Sequence, residues 1–182
     1  ARDSRAGGIA HDVGRGARIG DIDHRYPGHR VCVRGGELQG VGIDQQMGTF
    51  LDLKMLFKNE KGEVVPLGSF FDGKTPVIIS QVYFACPGLC NFHLNGLTDA
   101  MKTMDWTIGG KFKVLSVSFD ARETPDLAQK KKETYLKLYE RGGAEVENGW
   151  HFLTTDQPTI NTFTKALGFK FHWDEKSKEW AH

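Results

Sequence analysis

Two thiols, Cys86 and Cys90, stand four residues apart in the stretch Tyr83-Phe84-Ala85-Cys86-Pro87-Gly88-Leu89-Cys90-Asn91. A thiolate is both a nucleophile and a soft metal ligand, so such a pair can close a disulfide or supply half of a metal site. The spacing is CxxxC, not the CxxC of dithiol redox enzymes and zinc fingers, and by itself it leaves open a redox switch, a metal site, a structural disulfide or two unrelated thiols. What surrounds the pair is more telling. Thr75 to Phe84 (TPVIISQVYF) is apolar, β-branched and aromatic, the signature of a buried strand. From Asn91 to about Asp105 the apolar residues Phe92, Leu94, Leu97, Met101 and Met104 recur at helical spacing. The cysteines therefore fall where a central strand ends and a helix begins, and a helix N-terminus favours thiolate over thiol.

The elements that must hold this turn alternate along the chain. Phe50 to Phe57 and Glu63 to Leu67 flank Asn59-Glu60-Lys61-Gly62, which predicts a hairpin with glycine in its turn. Phe112 to Phe119 (FKVLSVSF) is a second core strand, followed by Thr124 and Pro125 as cap and first residue of a helix that runs to Gly142-Gly143. Trp150 to Leu153 is a short strand, and Asp156 caps a last helix that stops at Gly168. Strand and helix in alternation predict an α/β fold of three layers with parallel crossovers.

Bulk properties narrow the function classes. The 182 residues allow one domain with an appendage, and a net charge of +1 gives no overall footprint for nucleic acid. No apolar run approaches the roughly 20 residues that span a bilayer. Three cysteines are too few for a disulfide framework, and an odd count leaves at least one without an intrachain partner. Residues 1–38 hold seven arginines, no lysine, many glycines and no sustained apolar period. We expect residues 1–39 to be a poorly ordered or foreign segment and assign no site to His11, His24, His29 or Cys32 within it.

Residues 40–182 resemble the Sco/SenC family of thioredoxin-like copper proteins. The resemblance is carried by Val41-Gly42-Ile43-Asp44, by Tyr83 to Leu97 (YFACPGLCNFHLNGL), by Val117-Ser118-Phe119-Asp120 with Glu123-Thr124-Pro125, and by Trp150-His151-Phe152-Leu153-Thr154. It implies a thioredoxin-like three-layer sandwich with an N-terminal β-hairpin. It also implies one copper ion, Cu(I) or Cu(II), per chain, held by Cys86, Cys90 and a histidine near the C-terminal end, here His182. Thiolates suit Cu(I) and imidazole suits both oxidation states. His93, three residues after Cys90, is the main rival ligand. His151, between Trp150 and Phe152, reads as a packed residue at the edge of the core, and His172 as solvent-facing. Asp120 is expected beside the site, either for the copper or for helix capping near Thr124. Met47, Met55, Met101 and Met104 read as core filler.

The implied function is a non-enzymic copper chaperone serving cytochrome c oxidase assembly, with a copper-receiving oxidase subunit or another copper or thiol protein as partner. The alternative is a thiol:disulfide oxidoreductase, in which the more accessible Cys86 attacks a partner disulfide and Cys90 resolves it. A peroxidase is a weaker third reading. The resemblance further implies a membrane tether outside this sequence and a location on the periplasmic face of the inner membrane, or in the mitochondrial intermembrane space. Because the family continues past the histidine with a hairpin and a helix, residues 40–182 are expected to be a C-terminally incomplete domain.

Overall fold

The computed structural model describes residues 40–182, so the expectations for residues 1–39 lie outside the described residues. In chain order the elements are β1 (Gly42–Ile43), β2 (Leu56–Lys58), β3 (Val64–Pro66), a 3-10 turn (Leu67–Phe70), β4 (Val77–Val82) and α1 (Leu89–Thr103). After them come β5 (Lys113–Ser118), α2 (Pro125–Tyr139), α3 (Ala144–Gly149), β6 (Trp150–Leu153), α4 (Gln157–Leu167), β7 (Phe169–Lys170), β8 (His172–Asp174) and β9 (Glu179–Ala181).

The centre is a parallel sheet in the order β4-β5-β6, with Ile79 opposite Leu115 and Leu115 opposite His151. Alternation along β5 sends Val114 to one face and Leu115 and Val117 to the other. On the first face Val82, Trp150 and Phe152 pack with Leu94 and Met101 of α1, Tyr135 and Tyr139 of α2 and Val146 of α3. On the second, Leu153 joins Phe57, Leu67 and Phe70 and Phe163 of α4. This is the α/β three-layer arrangement the alternation predicts.

Local chemistry explains most boundaries. The Thr124 hydroxyl accepts from Leu127 N–H at 3.4 Å with Pro125 just inside α2, and Asp156 accepts from Thr159 N–H at 2.9 Å to open α4. At the hairpin turn, Asn59 Oδ1 accepts from the N–H groups of Lys61 and Glu63, both at 3.0 Å. Helix α4 ends at Gly168 with φ +72°, where an added Cβ would lie 1.8 Å from the Asp44 carbonyl oxygen.

Three features depart from expectation. The strand expected over residues 50–57 forms only from Leu56, because Asp52 Oδ1 accepts from Lys54 N–H at 2.9 Å and folds the preceding chain into a turn. Helix α3 was not foreseen: six residues after a glycine pair, with Val146 as its one large buried side chain, carry no periodic signal. The β8–β9 hairpin was not foreseen either, and it delivers the last residues to the sheet, with Trp173 paired to Trp180 and His172 to Ala181.

Candidate metal centre

The turn that carries the cysteines is held from below by one carboxylate. Glu123, between β5 and α2, accepts from the N–H groups of Phe84 at 2.8 Å and Ala85 at 2.6 Å and from the Ser118 hydroxyl at 2.6 Å. Burial pushes its carboxyl above the usual range although these hydrogen bonds oppose the shift. From the side, Asn91 Nδ2 donates to the Cys86 carbonyl at 2.8 Å and is itself fixed by Lys131 Nζ at 2.7 Å. So clamped, the backbone aims N–H groups at both sulfurs: Cys90 N–H points to Cys86 Sγ and Tyr83 N–H to Cys90 Sγ, each at 3.4 Å.

The third group comes from the other end of the domain. His182 follows β9 and places Nε2 3.2 Å from Cys90 Sγ, while its Nδ1 lies 2.9 Å from the Trp180 carbonyl oxygen. A carbonyl can only accept, so Nδ1 carries the proton and Nε2 presents its lone pair. Tyr83 and Phe119 wall the imidazole, with ring centroids 5.5 and 5.2 Å away. The ligand atoms of Cys86, Cys90 and His182 lie within 4.8 Å of one another.

Both cysteines are free thiols, 5% and 3% exposed, so Cys86 is not the accessible partner the exchange reading expected. Nor does the helix start lower the Cys90 thiol: burial pushes it up to about 12, helped by the neighbouring Cys86 and opposed by the Tyr83 N–H. A metal ion reverses that balance by replacing the proton. The set is two soft sulfurs and one imidazole with no carboxylate among them, a donor set that fits copper.

The other candidates lie elsewhere. His93 bonds Ser80 Oγ through Nε2 at 2.9 Å and stays outside the cluster, and burial lowers its pKa. His151 donates from Nε2 to the Asn148 carbonyl at 2.9 Å at the core edge, with its Nδ1 3.5 Å from Glu60. His172 is half-buried in β8 rather than solvent-facing. Met101 is core under α1 and Met55 packs against the cluster on the other face of the sheet, whereas Met47 and Met104 are 89% and 36% exposed, contrary to their reading as filler. Asp120 is buried beside the site; burial raises its carboxyl, but hydrogen bonds from Arg122 and Trp180 outweigh this and hold it low. Thr124 caps α2 without it. Glu123, Asn91 and Trp180 are positioning groups whose role sequence reasoning missed; Glu123 and Asn91 stood in quoted motifs, Trp180 in none.

Fold and cluster together define a thioredoxin-like α/β domain with a Cys-Cys-His group whose two thiols are buried and whose imidazole is half-buried. No family model matches the chain, and no curated protein matches it in sequence. Solved structures do. A crystal structure from Aquifex aeolicus VF5, named for a proposed role in electron transfer, aligns with a TM-score of 0.60 at 18% identity, covering 74% of this chain and 73% of that one. Arabidopsis thaliana ScoI, solved with copper bound, aligns with a TM-score of 0.51 at 16% identity over 68% of this chain and 71% of its own. The fold is that of the Sco proteins.

Proposed function

We propose that this protein is a Sco/SenC copper chaperone that binds one copper ion through Cys86, Cys90 and His182 and passes it to a respiratory oxidase copper site. The observation that carries the reading is the convergence of His182 Nε2 on Cys90 Sγ at 3.2 Å, across 92 residues of chain. Two thiols suffice for dithiol exchange; the imidazole adds a third donor to them, completing the sulfur–sulfur–nitrogen set that suits copper. Copper is the cargo, so it must be able to leave. A cavity of about 530 Å³, lined by Leu89, Ile79 and Phe169, reaches Cys90 and His182, which supports handover by exchange with a partner's thiolate or imidazole. The tether and the periplasmic or intermembrane-space location implied by the resemblance belong to the same proposal.

The test is anaerobic Cu(I) titration of the reduced protein beside His182→Ala. The wild type is expected to retain one copper per chain. The variant should lose roughly tenfold or more in affinity, since even a partner one shell further out is worth 10–100-fold. Equal affinity in the two proteins would move the third ligand to His93. Failure of the wild type to retain copper, with the thiols still cycling to a disulfide, would favour the oxidoreductase.

A further inference from the structure

Trp180 touches the site at neither sulfur, yet it is fastened at both of its polar ends. Its carbonyl takes the Nδ1 proton of His182 at 2.9 Å, and its indole Nε1–H donates to Asp120 Oδ2, also at 2.9 Å. Asp120 sits just past the end of β5, is 5% exposed, and does not cap α2. Its carboxylate is instead gripped by Arg122, with Nε 2.8 Å from Oδ1 and Nη2 2.6 Å from Oδ2, and by the Arg122 backbone N–H at 3.0 Å. The guanidinium lies over both tryptophans of the β8–β9 hairpin, 4.5 Å from the Trp173 ring and 5.7 Å from that of Trp180.

A two-strand hairpin has little stability of its own. Three residues of one sequence run, Asp120, Arg122 and Glu123, thus hold through their side chains the two separate parts of the metal centre. Glu123 holds the cysteine turn and the Asp120–Arg122 pair holds the hairpin that ends in His182. We infer that Asp120, Arg122 and Trp180 form a latch that positions His182 against Cys90, so that freeing the Trp180 indole from Asp120 withdraws the imidazole, uncovers the thiol and sets the rate of copper release. The inference rests on the copper reading for its consequence but not for its geometry. Trp180 is a positioning residue, acting on the metal only through the ring it holds.

Trp180→Phe keeps an aromatic ring against Arg122 and removes only the N–H donor. Two readouts in the full chain test the latch. In the copper-loaded protein, withdrawal of Cu(I) by a colorimetric chelator is expected to speed up about tenfold, the lower end of what an outer-shell partner contributes. In a His182→Ala background the same substitution should add no acceleration, a result that a merely structural role would not produce. In metal-free protein with Cys32 and Cys86 replaced by serine, alkylation of Cys90 should be faster in Trp180→Phe than in the parent.

Equal acceleration with and without His182, or no change in either readout, overturns the latch. Should Trp180→Phe fail to fold, as judged by its thermal transition, Arg122→Met is used instead; it loosens Asp120 while leaving the indole donor, and the same dependence on His182 is required of it. If the wild type holds no copper, the function proposed above fails, while the alkylation rates still decide the latch.

Discussion

Glu60→Gln is the substitution whose effect the structure quantifies most directly. Glu60, in the β2–β3 turn, is 6% exposed, pairs with Lys132 of α2, itself 7% exposed, and accepts from Phe152 N–H at 3.3 Å. Burial would raise its carboxyl, but the Lys132 ammonium and backbone N–H donation, with the His151 ring 3.5 Å away, outweigh it and bring it from 4.5 down to about 2. Converted at about 1.4 kcal/mol per tenfold, that fall corresponds to about 3 kcal/mol of stability supplied by the carboxylate. The folded-state value is the depressed one, so the contribution is complete above the unfolded value near 4.5 and is lost as pH falls toward 2. Gln keeps the size and removes the charge, leaving the Lys132 ammonium buried against a neutral amide, a loss of about 3–5 kcal/mol for broken buried pairs. The two routes agree. Urea unfolding of wild type and Glu60→Gln from pH 7 to pH 2.5 should show a gap of about 3 kcal/mol at neutral pH that narrows steadily below pH 4.5. A gap under about 1 kcal/mol at pH 7, or one that stays constant with pH, would refute the assignment of this ion pair as a net stabiliser.

Two further substitutions probe what holds the site and its frame. Glu123→Gln turns one acceptor oxygen into a donor facing the Phe84 or Ala85 N–H; we expect a loss of about 1–3 kcal/mol by urea unfolding and roughly tenfold weaker copper binding by chelator competition. Unchanged copper affinity would show that the cysteine turn holds its shape without the clamp. Gly168→Ala must relieve a contact of 1.8 Å with the Asp44 carbonyl at a φ of +72°, so about 2–3 kcal/mol and several degrees of thermal midpoint should be lost, and a shift within error would mean β1 moves away freely.

The elements around the cysteines were legible because each was marked twice. β5 has β-branched residues and a glycine break before it; α2 has Thr124 and Pro125 at its start; α4 has Asp156 and Gly168 at its two ends. Cys86 and Cys90 were visible as a pair, and the resemblance, not the spacing, pointed to His182. What stayed hidden was whatever depends on contacts distant in sequence. Glu123 reaches Phe84 across 39 residues and Trp180 reaches Asp120 across 60, and no local pattern encodes either reach. The thiol chemistry was misjudged for the same reason. A helix start is local and argues for thiolate, whereas the burial that raises Cys90 comes from packing by Tyr83, His182 and their neighbours.

The separation of the three ligands along the chain has a thermodynamic corollary. The thiols are near neighbours in any conformation, so an unfolded chain can still chelate through both. His182, 92 residues from Cys90, joins them only when the hairpin is docked. A metal coordinated by all three is a reversible cross-link closing a long loop, with the slow logarithmic dependence on loop length that such closures have. Its third bond would raise the melting temperature with the logarithm of free copper once that exceeds the dissociation constant, and would be the first to break on heating. Coordination number then becomes a direct spectroscopic gauge of whether the chain is folded.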